Sequence, residues 1–422
     1  MKETKQAFII DSYSELNDVK KRIMESQKVA IKNLAVAIKN PGTVVKNHGA
    51  AISTTDTLVV NDKRPLKIKD LDKTFGVAAL RQIINIEFCE DNQAFSSIDG
   101  LIYSKDKTKL LYCPRSRTGK IVIPEGVEEV YRYAFTGSHI EEVTFPDSLK
   151  IVKSNAFECC PFLKKVSGGD GIIRFEPSAF MHCENLSDFH FGKSLEGIGD
   201  FAFDECGLTE VIFPYGLQRI GACTFRACEI TKVALPETVK LIKEYAFSCT
   251  STIHLKKYNK SVLWSLITPY YNQNSYQDLD LASCAILKID DLPEIAIPRF
   301  VNIDKMNDLD LQIKRYMRTP TESNARLFKY GINDYCQEYT AMEHCKRFKS
   351  ISGKRFLAKM AEDILHNVAE DGEEAIVDML KEEIWTDMAL KRMLAAAQKS
   401  NMQAASSYIL NKIKKSRPSL TL

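Results

Sequence analysis

The stretch Leu217–Phe247 reads LQRIGACTFRACEITKVALPETVKLIKEYAF. It holds two phenylalanines, Phe225 and Phe247, 22 residues apart and each preceded by a small residue. Upstream, Phe135, Phe157, Phe180 and Phe203 extend the same ruler at steps of 22 or 23. Counting back from each one, whole columns line up. One residue back stand Ala134, Ala156, Ala179, Ala202, Thr224 and Ala246. Five and eight back the positions are aliphatic or Phe, and eleven back they are Pro or Gly. Fourteen back stand Ile121, Val143, Val166, Phe189, Val211 and Val233, alternating with polar neighbours. Alternation over a few residues predicts a short half-buried strand, and Pro or Gly ends it and turns the chain. One such coil has too few apolar positions to bury its own face. Stacked coils do, so the period predicts a solenoid.

The run AFECCPFLKKV (Ala156–Val166), together with the opening stretch, resembles the BspA-type leucine-rich repeat. Cys159, Cys183, Cys206, Cys228 and Cys249 follow the ruler phenylalanine by two or three residues, and Leu163, Leu186, Leu208 and Ile230 come after them. The first repeat departs from the pattern, with Gly137 and Ser138 where Cys is usual. The third has GGDGI (Gly168–Ile172) in place of the proline turn, which implies a looser bend. The stretch DNQAFSSIDGLIYSKDKTKLLYCP (Asp91–Pro114) is similar to an insert of the same proteins. Its two apolar runs around a charged turn predict a hairpin.

The expected fold class is therefore an α/β repeat, a leucine-rich-repeat solenoid of short strands with a 22–23-residue period, followed by an all-α helical C-terminal domain. Residues 1–90 are expected to form an N-terminal cap or small domain with a degenerate first coil. Within them, Ser14–Lys39 reads as helix, with Leu16, Val19, Ile23 and Met24 at helical spacing, and Phe75, Leu80, Ile84 and Ile86 fall in ladder places. Residues 91–257 carry the repeats with a hairpin insert at 91–114. Residues 258–303 read as cap and linker, where Trp264, Tyr270 and Tyr271 would cover the last coil. Residues 304–422 read as amphipathic helices with short joints, and from about Lys354 they resemble ankyrin-type helical pairs without the T-P-L-H start. There, Leu357, Met360, Ala361, Ile364 and Leu365 form one apolar stripe.

Composition narrows the partners. A net charge of +3 over 422 residues gives no global pull toward nucleic acid or anionic membrane. No apolar run is long enough for a transmembrane helix, and the N-terminus lacks signal-peptide character. Twelve cysteines, most of them in one repeat column, read as reduced core thiols. The chain therefore reads as cytoplasmic. The resemblance offers the alternative of a secreted or surface-bound protein, as many relatives are.

No catalytic, cofactor or metal constellation stands out. Phosphate-binding glycine motifs and zinc signatures are missing, and SGGDG (Ser167–Gly171) lies at a turn column. Asp91, Asp99 and Asp106 do not match a calcium loop. Cys336, His344 and Cys345 are spaced so that the two thiols face apart on a helix. The basic end NKIKKSRP reads as a helix C-terminus whose lysines favour the dipole. The function expected is non-enzymatic protein–protein interaction on the outward, concave strand face. By alternation that face is Val122, Glu142, Thr144, Lys165, Ser167, Asp188, His190, Glu210, Ile212, Lys232 and Ala234. Its mixed signs suit a protein partner better than a polyanion. The other readings are a surface adhesin, or an enzyme with its site in residues 1–90 or 258–422.

Overall fold

The computed structural model describes residues 7–10, 15, 17–21, 56–61, 83–270 and 284–416. The repeats form a β-solenoid of about six turns, followed in sequence by a helical region. The chain divides into two compact units, Met1–Ile230 and Thr231–Leu422.

In the first unit, the first four coils contribute two strands each and the fifth contributes one. Thr118–Val122, His139–Phe145, Lys165–Gly168 and Asp188–Phe189 pair in parallel. Their register sets Ile121 beside Val143, Val143 beside Val166, and Val166 beside Phe189. The apolar column fixes this register, since a slip of one residue would turn every buried side chain outward. A second parallel ladder joins Glu129–Val130, Ile151–Val152, Arg174–Phe175, Gly197–Ile198 and Arg219–Ile220.

The ruler phenylalanines form a continuous stack inside. Phe135–Phe157, Phe157–Phe180, Phe180–Phe203 and Phe203–Phe225 lie 4.5, 4.8, 5.2 and 5.5 Å apart between ring centroids, nearly parallel. The spacing follows from the backbone, because parallel strands sit about 4.8 Å apart. Each ring pair adds about 0.5–1.5 kcal/mol beyond area burial. The backbone beneath the rings makes a third ladder: the amides of Phe135, Phe157, Phe180 and Phe203 donate to Ala156, Ala179, Ala202 and Thr224. Two positions per coil adopt left-handed backbone to sustain it. Two residues before the ruler these are Tyr133, Asn155, Ser178, Phe201 and Cys223; two after it, Gly137, Cys159, His182, Glu205 and Ala227.

The cysteine column lies three residues after each ruler phenylalanine. Cys160, not Cys159, occupies it in the second coil. Cys160, Cys183, Cys206 and Cys228 are buried, and each thiol donates to the carbonyl of the ruler phenylalanine one coil earlier, at 3.0–3.1 Å. Cys159 and Cys249, expected in the column, are exposed, because two residues after the ruler the side chain points out. Ser138 fills the column in the first repeat, wholly buried, with its hydroxyl 3.5 Å from the Cys160 sulfur.

The GGDGI turn, expected to bend more loosely, packs its backbone closely on the coil before it. A Cβ on Gly168 would lie 2.3 Å from the Phe145 carbonyl oxygen, and one on Gly171 would lie 1.9 Å from that of Asp147. Glycine is required there for backbone to approach backbone.

Ahead of the repeats, Ala7–Ile10, Asp56–Val60 and Ile83–Phe88 pair in parallel, with Ile86 and Val19 buried. Residues 17–21 are helical. Leu16, Ile23, Met24, Phe75 and Leu80 lie outside the described residues. The hairpin segment holds three antiparallel strands, Phe95–Ile98, Leu101–Ser104 and Lys109–Tyr112, and the last pairs in parallel with Glu129–Val130. Asp106 closes its turn by accepting from Ser104 Oγ and from the amide and hydroxyl of Thr108.

In the second unit, Lys232–Leu235, Thr252–Leu255 and Cys284–Ile289 are parallel, and Ile295–Pro298 adds an antiparallel strand. Helix α1 (Ser261–Leu266) buries Val262, Leu263 and Leu266. Trp264, expected to cover the last coil, is half-buried on this helix, which packs against Leu241–Ile242, and Tyr271 lies outside the described residues. Arg299, itself buried, donates to the carbonyls of Ser248, Thr250 and Leu266 and so satisfies backbone oxygens there.

Seven α-helices follow among the described residues: α2 (Met306–Arg318), α3 (Asp334–Phe348), α4 (Ile351–Lys359), α5 (Ala361–Ala369), α6 (Glu373–Lys381), α7 (Asp387–Lys399) and α8 (Gln403–Ser416). The stripe from Leu357 to Leu365 belongs to two helices, broken at Met360, a break that no Gly or Pro marks. Helices α5 and α6 form a hairpin that stacks on α7 and α8, α5 on α7 and α6 on α8. Their ends are tied by side chains. Glu373 Oε2 accepts the Ala404 and Ala405 amides, and Lys412 caps carbonyls at the end of α6.

Candidate interaction surface

The outward positions of the strands fall into rows, because register places equivalent residues side by side. In the first unit one row is Lys120, Glu142, Lys165 and Asp188, continued by Glu210 in the next coil. Neighbouring strands put opposite charges next to each other. Lys120 Nζ lies 2.8 Å from Glu142 Oε2, and Lys165 pairs with Asp188. The Asp188 contact holds the Lys165 ammonium above its usual range. These pairs are exposed, so each is worth about 0.2–1 kcal/mol at most. Their larger effect is to cancel one another. Glu142 and Asp188, expected on the binding face, are engaged by neighbours within it.

The second row is Val122, Thr144 and Ser167, followed by His190 and Ile212. Thr144 Oγ1 and Ser167 Oγ lie 3.3 Å apart. Val122 is 69% exposed and Ile212 82% exposed, the most exposed large aliphatic residues among the described residues of this unit. Solitary exposed aliphatics are ordinary; two in one row of a rigid ladder, beside neutralised charge, make a surface that loses little on desolvation.

A third row borders the face and was not legible from strand alternation. It lies just past the turn: Glu125, Asp147, Asp170, Lys193 and Tyr215. His190 Nε2 meets Asp170 Oδ1 at 2.8 Å, which joins this row to the strand face. Lys193 and His190 hold the Asp170 carboxyl well below its usual range. Each acid also braces the following coil. Glu125 accepts the Asp147 and Ser148 amides, and Asp147 accepts the Asp170 amide. The recurrence of acids ten residues before Phe135, Phe157 and Phe180 was the available signal.

In the second unit, Lys232 pairs in register with Thr252 and Ala234 with His254, and both Lys232 and Ala234 are exposed. On the next strand the face closes. Ile286 stands beside Thr252 on the outward side yet is only 6% exposed, and α3 packs against Cys284–Ile289 and Ile295–Pro298. Arg347 of α3 lies 3.5 Å from Glu294.

The titratable side chains of the helical region form a brace. Glu322 Oε1 accepts from Ser350 and Ser352 and faces His344 Nε2 at 3.2 Å. Burial pushes the His344 imidazole down, so it is neutral at pH 7. Serine and histidine both address the same carboxylate, which ties the loop before α3 to the start of α4, where Ser350 is the N-cap. Cys336 and Cys345 are both buried in α3, and burial pushes both thiols up. Among the described residues no group of three His, Cys, Asp or Glu is placed to hold a metal ion. No helix among them is long and apolar enough to cross a membrane.

Residues 112–214 and 174–263 match the BspA type leucine rich repeat region, in six copies. The repeats of this chain are BspA-type leucine-rich repeats. Several solved structures resemble the chain. A leucine-rich repeat protein of T. pallidum is 27% identical over 36% of this chain and 76% of its own, with a TM-score of 0.32. The pneumococcal vaccine antigen PcpA is 17% identical, covering 52% and 54%, with a TM-score of 0.33. A leucine-rich cell surface protein from Faecalibacterium prausnitzii is 20% identical, covering 50% and 54%, with a TM-score of 0.33. The chain thus spans just over half the length of the latter two. No curated protein matches it. The BspA-type match ends at residue 263, so the helices α2–α8 lie beyond it.

Proposed function

We propose that the chain is a non-enzymatic protein-binding module, and that its partner docks on the outward strand face of the repeats. The observation that carries this reading is the pairing of Lys120 with Glu142 and Lys165 with Asp188 beside the exposed Val122 and Ile212. A row that neutralises itself is cheap to dehydrate, and flanking aliphatics supply the contact energy of an interface core. The solenoid supports it by rigidity: its backbone is hydrogen-bonded coil to coil, so little ordering entropy is lost on docking.

Affinity capture from the source cells tests the reading, with wild type, Val122→Ser/Ile212→Ser, and the control Arg219→Ser on the other sheet as baits. The expected result is a protein retained by wild type and control and lost from the double variant. Identical capture by all three would contradict it.

A further inference from the structure

The cations of the strand face in the first unit are spent internally. Lys120, Lys165 and Lys193 bond Glu142, Asp188 and Asp170. Glu125, Asp147 and Glu210 are left bonded to no cation among the described residues. Across the three rows, six carboxylates face three lysines and His190, so carboxylates outnumber the lysines by three. The excess has a direction. Glu125 and Asp147 belong to the first two coils and Glu210 to the fifth. Val122 stands alone at the Glu125 end, whereas beside Glu210 two larger side chains, Ile212 and Tyr215, are 82% and 68% exposed. Backbone amides hold Glu125 below its usual range, so the charge persists well into acid.

Resting on the binding reading above, we infer that the occupant of this face is an extended, positively charged peptide segment with a bulky apolar residue at one end. Four coil steps at about 4.8 Å, roughly 19 Å along the stack, separate the coil of Glu125 from that of Glu210. An extended strand rises about 3.3 Å per residue, so about six residues cover that span. The apolar residue packs on Ile212 and Tyr215 with a Lys or Arg next to it at Glu210. A second Lys or Arg, five or six residues away, meets Glu125 and Asp147. Lys120 and Lys165 do not repel it, because their charges are held by their neighbours.

The test is fluorescence anisotropy with the full chain and two labelled nonapeptides of equal apolar content. One carries Lys and Arg at both ends with a Leu at one terminus; the other carries Glu in place of each cation. The basic peptide is expected to bind, at least fivefold more weakly at 300 mM than at 50 mM salt, because exposed charges are screened over about 10 Å or less. Glu125→Gln/Asp147→Asn/Glu210→Gln, whose amides keep the oxygens that brace the turns, is expected to lose at least fivefold in affinity. Ile212→Ser/Tyr215→Ser is expected to lose as much. Thermal melts by circular dichroism establish that both variants fold. Binding of the acidic peptide as well as the basic one, or wild-type affinity in the neutralised variant, would overturn the charge inference. If binding of the acidic peptide still fell with Ile212→Ser/Tyr215→Ser, the face would stand and its charge preference alone would fail.

Discussion

The thiol of Cys206 donates to the carbonyl oxygen of Phe180, one coil away, at 3.1 Å. The same bond recurs from Cys183 to Phe157 and from Cys228 to Phe203. The cysteine column is therefore a hydrogen-bonded ladder as well as a filling of small apolar volume. The Phe180 oxygen also accepts the Cys183 amide, so Cys206→Ala removes one of its two donors along with the sulfur's volume and is expected to cost about 1–2 kcal/mol. Cys206→Ser keeps a donor, as Ser138 does at the same column, and should cost less than about 1 kcal/mol. Urea unfolding of both variants decides it. Equal losses would show that the thiol acts by volume alone.

The stacked rings set the scale of the core. Phe180 is wholly buried between Phe157 and Phe203. Phe180→Ala is expected to cost about 3–5 kcal/mol, while Ile212→Ser, on the open face, should stay within about 0.5 kcal/mol. The midpoints of thermal unfolding separate the two.

Left-handed backbone makes a prediction of opposite sign. Ala227 is exposed and sits at φ +57° in the column two residues after the ruler. A Cβ in that conformation is strained by about 1 kcal/mol. Ala227→Gly is therefore expected to stabilise the protein by up to about 1 kcal/mol, and Ala227→Val to destabilise it. Stabilisation by valine would refute the backbone assignment.

Glu338 gives the helical region a pH dependence. It is buried in α3, its Oε2 accepts from Asn367, its Oε1 has no partner, and Asp363 and Asp334 lie near. Burial, with those acids adding, pushes its carboxyl up to about 7. The folded state therefore keeps a proton that the unfolded chain releases near pH 4.5. The stability this provides is fully present below about pH 4.5 and is lost as pH rises through about 7. Between pH 4.5 and 8, wild type should lose on the order of 2 kcal/mol relative to Glu338→Gln. A constant difference between the two proteins over that range would refute it.

Sequence disclosed the core because repetition puts each residue type in one place. The phenylalanine ruler, the aliphatic columns and the outward alternation of Val122, Thr144 and Ile212 all appear in the structure where the period put them. What stayed hidden depends on backbone or on register. Tyr133, Asn155, Ser178 and Phe201 share a left-handed conformation but no chemistry, because the coil-to-coil amide ladder imposes it. Cys159 and Cys160 are neighbours, and the column position was decided by which one points inward. The pairing of Lys120 with Glu142 was legible in principle, since 22 residues separate them. The closure of the face at Ile286 by α3 was not, because nothing local to either segment encodes the contact.

The most direct test of the binding face is site-specific photo-crosslinking in the source cells, with a photoreactive residue at Ile212 on the strand face and, separately, at Arg219 on the other sheet. The proposed docking predicts a discrete adduct from position 212 and none from 219. An adduct from 219 alone, or equal adducts from both, would contradict it.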